Sequence, residues 1–338
     1  MIDTKNKFTF QLDVSDFLPA ESGEKESLVI MRQSVSFWKD GIRRFKKNKI
    51  AMTSLFVIIA IAIFAFILPI FYPYSYEQQI RGSENLAPMQ YSAEELRLIE
   101  QGQKVFPHFL GTDSLGRDTM IRLMMGSRIS LLVGIVASVL VFLIGSVYGA
   151  VAGYFGGKVD MIMMRLVDII YTVPDILIII LLMVTLKYPL QSLADTVPGF
   201  GWINTIGVGL ICIFIVFSLL YWVGMARIVR SQILALKEQE YVTAARALGA
   251  SHGRIIRKHL LTNCMGTLIV TTTLQIPSSI FTESFLSFIG IGVAAPMPSL
   301  GSMASQAIDG IRSYPYRLLA PAIMISLIIL SFNLIGDG

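Results

Sequence analysis

The chain has 338 residues, of which 54% are hydrophobic and only 15% are charged. A soluble domain of this size would carry about a quarter charged residues, so the composition excludes an ordinary soluble protein and requires a surface that faces lipid. The net charge of +5 does not indicate nucleic-acid binding, because the basic residues lie beside apolar stretches and membrane topology explains them.

The residues before the first apolar stretch divide into two parts. Residues 1–33 are polar, mixed in charge and without sustained periodicity, which predicts a cytoplasmic N-terminal tail. In residues 34–49, Trp38, Ile42 and Phe45 recur at helical spacing among six basic residues. This pattern predicts an amphipathic helix in the inner membrane interface, although a plain polybasic anchor for the next span would explain the same residues.

Six apolar stretches are long enough to cross a bilayer, which takes about 20 residues. They centre on residues 51–70, 129–152, 169–186, 203–225, 260–282 and 318–336. The chain is therefore predicted to be an all-α membrane protein with six transmembrane helices. The first helix occupies residues 50–70, and the other five lie within a domain of residues 129–338.

The basic residues predict the orientation of these spans. With an even number of spans both termini share one side, and a cytoplasmic N terminus places fifteen Lys and Arg in cytoplasmic regions against nine outside. The remaining four lie in the N-terminal tail. This bias agrees with the positive-inside rule and places residues 237–263 in the cytoplasm.

Residues 71–128 are then an extracytoplasmic segment. Ser92 and Glu95 have the spacing of a capping box, which predicts a short helix through Ile99. Later in the segment comes the run Gly-Thr-Asp-Ser-Leu-Gly-Arg-Asp at residues 111–118, followed by Arg122. Taken alone, the run predicts a turn that leads into an interfacial helix.

Two features of the middle of the chain concern helix contacts. Gly145, Gly149 and Gly153 are four residues apart, which predicts a smooth stripe where a second helix packs closely. Farther on, Asp160, Arg165 and Asp168 mark the cytoplasmic start of the third span, where they form local ion pairs or contact a partner protein.

No nucleotide site is predicted in this chain. The run Gly156-Gly157-Lys158-Val159 resembles a phosphate-binding loop, but Ala152 stands where its first glycine belongs and Val159 replaces Ser or Thr. The glycines from Gly290 onward follow a membrane span rather than a β-strand, so they do not indicate a dinucleotide fold. Nothing in the chain suggests a metal site or a catalytic residue.

Polar residues within the spans suggest a translocation path. Asp175 follows Pro174, which is predicted to kink the third span, and Asp175 lies seven residues from Asp168, on the same helix face. The fifth span carries many hydroxyl groups and ends in an acid, which favours a water-lined route, although hydroxyls can also bond neighbouring helices. The candidate path residues are Asp175, Thr272, Gln275, Ser279 and Glu283.

The longest polar stretch in the second half of the chain is residues 237–263. Its pattern predicts two short helices around Gly249, with Tyr241, Ala245 and Leu248 on one face of the first and Ser251 as a cap for the second. A helix this short is marginal in water, so its apolar face must be covered. The bilayer or the chain itself could cover it, and so could a groove in a second protein.

This stretch resembles the cytoplasmic loop of ABC-importer permeases. The residues that carry the resemblance are Thr243-Ala244-Ala245, Gly249 and Leu261, and the flanking Glu240-Tyr241-Val242 are similar to the peptide-permease branch. Thr243 stands where the family pattern has Glu, and Thr262 stands where it often has Pro. The runs at residues 111–118, 283–292 and 332–338 are similar to the C-type subunit of oligopeptide and dipeptide permeases.

The resemblance implies a type I ABC importer permease fold with a cytoplasmic coupling helix in a multi-pass protein of the bacterial cell membrane. It also implies a B-type permease partner, two cytoplasmic ATPase subunits that bind the ATP and Mg²⁺, and an extracytoplasmic peptide-binding protein. The chain itself would be a non-catalytic subunit for oligopeptide uptake. The residues implied for coupling are Glu240, Tyr241, Ala244, Ala245, Arg246, Leu248 and Gly249.

Other functions remain open at this stage. The same loop occurs in dipeptide, nickel and metallophore importers, so the cargo is the least determined feature. An ion-driven secondary transporter would account for Asp175 and Glu283, but the halves of the chain show no repeat, and that function leaves the cytoplasmic loop unexplained. A membrane scaffold without transport would not need so polar a fifth span.

Overall fold

The computed structural model describes residues 37–338. The predicted tail and the first residues of the predicted interfacial helix, 34–36, lie outside the described residues. Within the described part, the regular secondary structure consists of helices and one isolated antiparallel bridge between Thr112 and Asp118. The all-α class predicted from composition is therefore confirmed.

The helices in chain order are α1 (Phe37–Lys47), α2 (Lys49–Phe66), α3 (Leu68–Phe71), α4 (Ala93–Glu100), α5 (Thr119–Phe155), α6 (Gly157–Thr172), α7 (Asp175–Thr196), α8 (Trp202–Ile206), α9 (Val208–Leu220), α10 (Trp222–Leu236), α11 (Glu240–Ala247), α12 (His252–Arg254), α13 (Leu261–Asn263), α14 (Met265–Phe288), α15 (Leu300–Ala307) and α16 (Tyr316–Gly336). A π-helical turn, Ile255–Leu260, joins α12 to α13.

Helix α1 belongs to a different unit of the chain from residues 48–338. It falls within the predicted range of 34–49 and ends at Lys47, where Asn48 caps the next helix by accepting hydrogen bonds from the backbone N–H groups of Ile50 and Ala51. Along α1, Arg44 Nε donates to Asp40 Oδ2 at 2.7 Å. The side chain of Asn48 therefore sets the boundary that periodicity alone placed at residue 49.

Five helical stretches of the described chain are long and apolar enough to cross a membrane. They are Lys49–Phe71, Thr119–Phe155, Asp175–Thr196, Val208–Leu236 and Tyr316–Gly336. A sixth arises if the bent pair His252–Asn263 and Met265–Phe288, which meet at 70°, counts as one span. The six predicted stretches all have a counterpart, with shifted ends.

The largest shift concerns the third span. The chain does not continue as one helix through residues 169–186, because α6 ends at Thr172 and α7 begins at Asp175. Val173 between them is extended, with φ −89° and ψ 137°, as expected for a residue that precedes proline. The predicted kink at Pro174 is therefore a break. The prediction that Asp168 and Asp175 share a helix face is wrong, because they belong to different helices.

The second span also begins earlier than its apolar core suggests. The predicted interfacial helix and the span at 129–152 form one helix, α5, which starts at Thr119. Asp118 caps this helix, because its Oδ1 accepts from the Ile121 N–H at 2.9 Å. The run at residues 111–118 is thus the turn that starts the longest helix of the bundle.

The glycine stripe of α5 packs against α10, as predicted. A Cβ atom built on Gly149 would lie 2.3 Å from the carbonyl oxygen of Ala226. One built on Gly145 would lie 2.6 Å from Met225 Cβ, and one on Gly153 would lie 2.9 Å from the Arg230 carbonyl oxygen. These distances leave no room for a larger side chain, so the glycines set how closely the two helices approach.

Residues 72–118 fold around a buried histidine. His108 is fully buried, with Nδ1 2.7 Å from Asp118 Oδ2 and Nε2 3.0 Å from Glu95 Oε1. The predicted capping box is confirmed, because the Ser92 N–H donates to the Glu95 carboxylate while the Glu95 N–H donates to Ser92 Oγ. His108 therefore connects α4 to the start of α5. The ring of Tyr74 stacks on it at 4.6 Å.

The two carboxylates determine the charge of His108. Both ring nitrogens face carboxylate oxygens, so both act as donors when the ring is protonated. Burial lowers the pKa of His108, but its hydrogen bonds to Asp118 and Glu95 outweigh burial and raise the pKa above the usual value. Burial beside the same carboxylates also raises the pKa of Tyr74 to about 12. Protonation of the ring gives both nitrogens a proton to donate, so the charged form bonds to both carboxylates and links α4 to the start of α5.

Candidate functional site

The 237–263 loop forms two short helical parts around Gly249, as predicted. The first is α11, which ends at Ala247, and Gly249 follows with φ +79°. That left-handed conformation is costly for residues with a side chain, and it turns the chain back toward the bundle. The second part, residues 252–263, is irregular, and its Ser251 side chain makes no capping hydrogen bond, in contrast to the prediction.

The apolar contact between α11 and the rest of the chain centres on Val242, the one buried residue of this helix. Val242 is fully buried in a cluster that includes Val229 and Ile233 of α10 and Ile255 and Leu260 of the returning turn. Val242 is not among the coupling residues that the resemblance implies. One buried residue in an eight-residue helix gives no periodicity that could have identified it, although it belongs to the quoted Glu240-Tyr241-Val242 run.

The predicted apolar face of α11 points away from this anchor. Leu248 is 88% exposed and Tyr241 is 39% exposed, while Ala245 is half-buried. Glu240 and Ala244 are exposed as well. Residues 37–338 therefore leave most of this face uncovered, so the bilayer or a groove in a second protein fits the observed exposure better than the described part of the chain does.

Polar contacts fix the orientation of α11. The Tyr241 hydroxyl accepts a hydrogen bond from Asn263 Nδ2 at 3.1 Å, which ties the start of α11 to the end of the loop. The guanidinium of Arg246 lies 6.0 Å above the ring of Tyr154, whose hydroxyl is 2.8 Å from His252 Nδ1. Both parts of the loop therefore contact the end of α5.

The returning turn has one buried face and one basic face. Ile255 and Leu260 are buried, whereas Arg254, Arg257 and Lys258 are exposed. The end of the bundle formed by residues 237–263, here called the loop end, thus exposes both Leu248 and a group of cations.

Two ion pairs hold α6 against α10 near the loop end. The carboxylate of Asp160 accepts from the Arg230 guanidinium, and Asp168 accepts from Arg227 at 2.8 Å. The hydrogen bond from Arg230 holds the pKa of Asp160 below its usual value. Of the alternatives that the sequence left open for these acids, the structure supports ion pairs within the chain, although they join separate helices. Arg165 is exposed.

Two of the candidate path residues lie on one cavity. Asp175 and Gln275 line a cavity of about 210 Å³ together with Tyr221 and Ser278. Asp175 is exposed at the first position of α7, and Gln275 is half-buried on α14. The cavity therefore joins a carboxylate to the amide and hydroxyl groups of a neighbouring helix.

The other candidate path residues lie elsewhere. Glu283 is fully buried and accepts hydrogen bonds from Ser130 and Ser287, each at 2.8 Å. Ser279 is fully buried too, and its hydroxyl has no partner among residues 37–338. Thr272 is half-buried. Glu283 thus joins α14 to α5 through hydroxyl groups, a role that sequence spacing could not reveal because Ser130 is 153 residues away.

The threonine hydroxyls of α14 bond within their own helix. Thr271, Thr272 and Thr273 donate to the carbonyl oxygens four residues earlier, at 2.8, 2.7 and 2.9 Å. Thr282 does the same, and it also accepts from the Tyr221 hydroxyl at 2.7 Å. For Thr271, Thr272 and Thr273, bonding within the helix satisfies the hydroxyls without water or a neighbouring helix, which neither sequence-based explanation anticipated. The bond from Tyr221 to Thr282 is of the interhelical kind that the sequence left open.

Comparison with known proteins places this architecture in a family. A family model described as "Binding-protein-dependent transport system inner membrane component" matches residues 145–338. A second, described as "N-terminal TM domain of oligopeptide transport permease C", matches residues 36–88.

Curated relatives match nearly the whole chain. The oligopeptide transport system permease protein OppC of Bacillus subtilis is 39% identical over 322 residues, which are 95% of this chain and 94% of the relative. The dipeptide transport system permease protein DppC of the same organism is 42% identical, with 95% and 90% covered. OppC of Escherichia coli is 35% identical, with 90% and 89% covered. The chain therefore belongs to the family of binding-protein-dependent transport system inner membrane components.

Proposed function

We propose that this chain is the C-type permease subunit of an ATP-driven importer of oligopeptides. Half of the translocation pathway would be formed by this chain and half by a B-type permease. Two ATPase subunits would contact the loop end, and these subunits would bind the ATP and Mg²⁺. An extracytoplasmic peptide-binding protein would deliver cargo at the opposite end. Both termini would then be cytoplasmic, in agreement with the distribution of basic residues.

The observation that carries the proposal is the exposure of Leu248. An aliphatic side chain that is 88% exposed at the tip of a short helix fits a groove in a second protein better than it fits water. Val242 holds the other face of the same helix in the bundle core. A force applied to α11 would therefore reach α10 and α5 directly, as coupling to an ATPase requires.

The cavity of Asp175 and Gln275 supports a path through the membrane on α7 and α14. Its carboxylate, amide and hydroxyl groups suit a polar cargo such as a peptide. Glu283 is enclosed by hydroxyl groups of its own chain, so we assign it to helix packing and do not include it in the path.

A peptide is the cargo that the relatives support, since two of them are named for oligopeptides and one for dipeptides. The family assignment disfavours the ion-driven secondary transporter, and no contact within residues 37–338 favours nickel or a metallophore. Uptake of a labelled pentapeptide in the presence of excess dipeptide, pentapeptide or Ni²⁺ tests the cargo. Competition by pentapeptide alone is expected, and competition by Ni²⁺ would contradict a peptide cargo.

The coupling role is tested by Leu248→Asp, with Leu96→Asp as the control. Leu96 is another exposed leucine, 49% exposed on α4, in the predicted extracytoplasmic segment. With both variants present in the membrane at normal levels, Leu248→Asp should lose the co-purifying ATPase subunits and peptide uptake, while Leu96→Asp keeps the ATPases bound. Full ATPase recovery with Leu248→Asp would contradict docking through this helix.

A further inference from the structure

Three buried arginines meet at the end of the bundle opposite the loop end. Arg117, Arg122 and Arg317 are 6%, 3% and 8% exposed. They come from the 111–118 run, the first turn of α5 and the start of α16. The arginines therefore bring together distant parts of the chain, and burying this much charge requires compensation.

The chain supplies only part of that compensation. Asp113 pairs with Arg117 at 2.7 Å and lies 3.6 Å from Arg122, while Arg317 forms no ion pair within residues 37–338. Arg317 instead donates to the Asn85 side chain and to the Thr112 carbonyl, and it packs on the ring of Tyr314. Arg117 and Arg122 thus share one carboxylate, and Arg317 has none within residues 37–338.

Several donors of this cluster remain unused. Arg122 Nη1, Arg317 Nε and Thr119 Oγ1 are buried and have no hydrogen-bond partner in the described part of the chain. All three residues line one small cavity of about 30 Å³, together with Asp113, Gln306 and Met303. The Gln306 side-chain oxygen already accepts from both Arg117 and Arg122, at 3.2 and 3.0 Å, so it cannot easily serve the free donors.

We propose that this cavity is a binding site for a small monovalent anionic group, such as chloride or a carboxylate. The residues that line it carry two guanidinium N–H groups and a hydroxyl without partners, and an anion can accept from all three whereas a neutral water accepts about two. The volume is about twice the minimum for one water, which excludes larger anions such as sulfate. The positive end of α5, 37 residues long, adds to the attraction.

An anion at this position would connect the start of α5 to the start of α16 and to α15, which carries Met303 and Gln306. It would neutralise part of the excess charge that otherwise opposes folding of the 72–118 segment onto the bundle. This site is independent of the coupling helix, and its existence does not depend on the proposed cargo.

The first test is thermal unfolding of the purified full chain in detergent at constant ionic strength, with sodium chloride replaced stepwise by sodium methanesulfonate, whose anion carries no carboxylate and is as large as the sulfate that the cavity excludes. A site with free chloride at ten times its Kd raises the folding equilibrium constant about elevenfold, so a saturable rise of a few degrees in the unfolding midpoint is expected. Equal midpoints in both salts would contradict the proposal.

Two variants and a control locate the effect. Thr119→Val removes one donor and no charge, so it should fold as well as wild type in methanesulfonate and gain less from chloride. Arg122→Gln should lose the chloride effect entirely. Arg81→Gln removes an exposed arginine of the same segment and should keep the full effect. An equal chloride effect in all four proteins would overturn the assignment.

A direct measurement uses bromide in place of chloride. Anomalous scattering from crystals grown in bromide should show a peak within hydrogen-bond distance of Arg122 Nη1, and absence of any peak there would refute binding of a free halide. A chloride effect present in the isolated chain but absent in the assembled transporter would assign the site to a partner's carboxylate. Its persistence after assembly would assign the site to the free ion.

Discussion

The glycine stripe gives the sharpest prediction, because the chain contains its own control. In Gly149→Ala the added Cβ would lie 2.3 Å from the Ala226 carbonyl oxygen, about 1 Å closer than ordinary contact. Because the atom that clashes with the added Cβ belongs to the backbone of α10, the clash is relieved only if α5 and α10 move apart. Gly224, on α10 itself, has no heavy atom within 4 Å of an added Cβ.

The magnitudes follow from these two environments. Overpacking in a well-packed core costs about 1–3 kcal/mol. Exchange of Gly for Ala in a helix contributes about 1 kcal/mol of stability, and both variants receive it. Gly149→Ala should therefore lower the free energy of unfolding by up to about 2 kcal/mol, and Gly224→Ala should raise it by up to about 1 kcal/mol. The difference between the two variants is about 1–3 kcal/mol.

The assay uses the two free cysteines. Cys212 and Cys264 are buried, at 0% and 2% exposed, so a thiol-reactive dye reports unfolding of the detergent-solubilised chain during heating. The midpoint for Gly149→Ala should lie below that of wild type, and the midpoint for Gly224→Ala at or above it. Equal midpoints for the two variants would refute the claim that the stripe sets the helix separation.

Three further predictions concern the loop end and the buried histidine. Val242→Ala removes two buried methyl equivalents and should lower the free energy of unfolding by about 1.5–3 kcal/mol. Leu248→Ala should change the free energy of unfolding by less than about 0.5 kcal/mol, because Leu248 is exposed. Equal effects of the two substitutions would contradict the assignment of Val242 as the anchor. Gly249→Val forces a β-branched residue into φ +79° and should abolish ATPase co-purification and uptake. Gly253→Val, at a position where φ is not positive and space is open, should retain both. Normal uptake by Gly249→Val would count against coupling through this turn. His108 has a raised pKa, so its stabilisation is complete below about pH 6.5, the unfolded value, and disappears as pH rises through the folded value. The midpoint temperature of wild-type unfolding should therefore decrease as the pH rises through the folded pKa of His108, and His108→Gln should remove this pH dependence. If the variant kept the wild-type pH profile, the imidazolium would not be what holds the segment.

Sequence patterns located most of the helices and missed their ends. The apolar stretches correspond to the observed spans, but α5 begins ten residues before the predicted span at 129 because Asp118 caps it there. Likewise, Pro174 ends a helix that hydrophobicity alone continues. Caps and breaks depend on single side chains and local backbone angles, which an average over 20 residues does not resolve.

The sequence predicted where in the chain the candidate site lies, but it did not predict which apolar residue of the site is buried and which is exposed. The loop and its turn at Gly249 follow from composition and from one residue type. Composition does not show whether Val242 or Leu248 is the buried residue, because both are apolar and neither belongs to a long periodic run. Burial of Val242 is decided by α10 and by the returning turn, which cover one side of α11 only.

By itself, the sequence determined that this protein is a helical membrane protein, that its basic residues favour one orientation, and that a polar loop projects from its second half. These properties are local or additive along the chain. Only the tertiary structure brought Arg122 and Arg317 to one cavity, with Arg117 bonded to the same Gln306 as Arg122, and enclosed Glu283 in hydroxyl groups. Contacts across more than 150 residues leave no periodic trace in the sequence, since they arise from how separately formed helices pack.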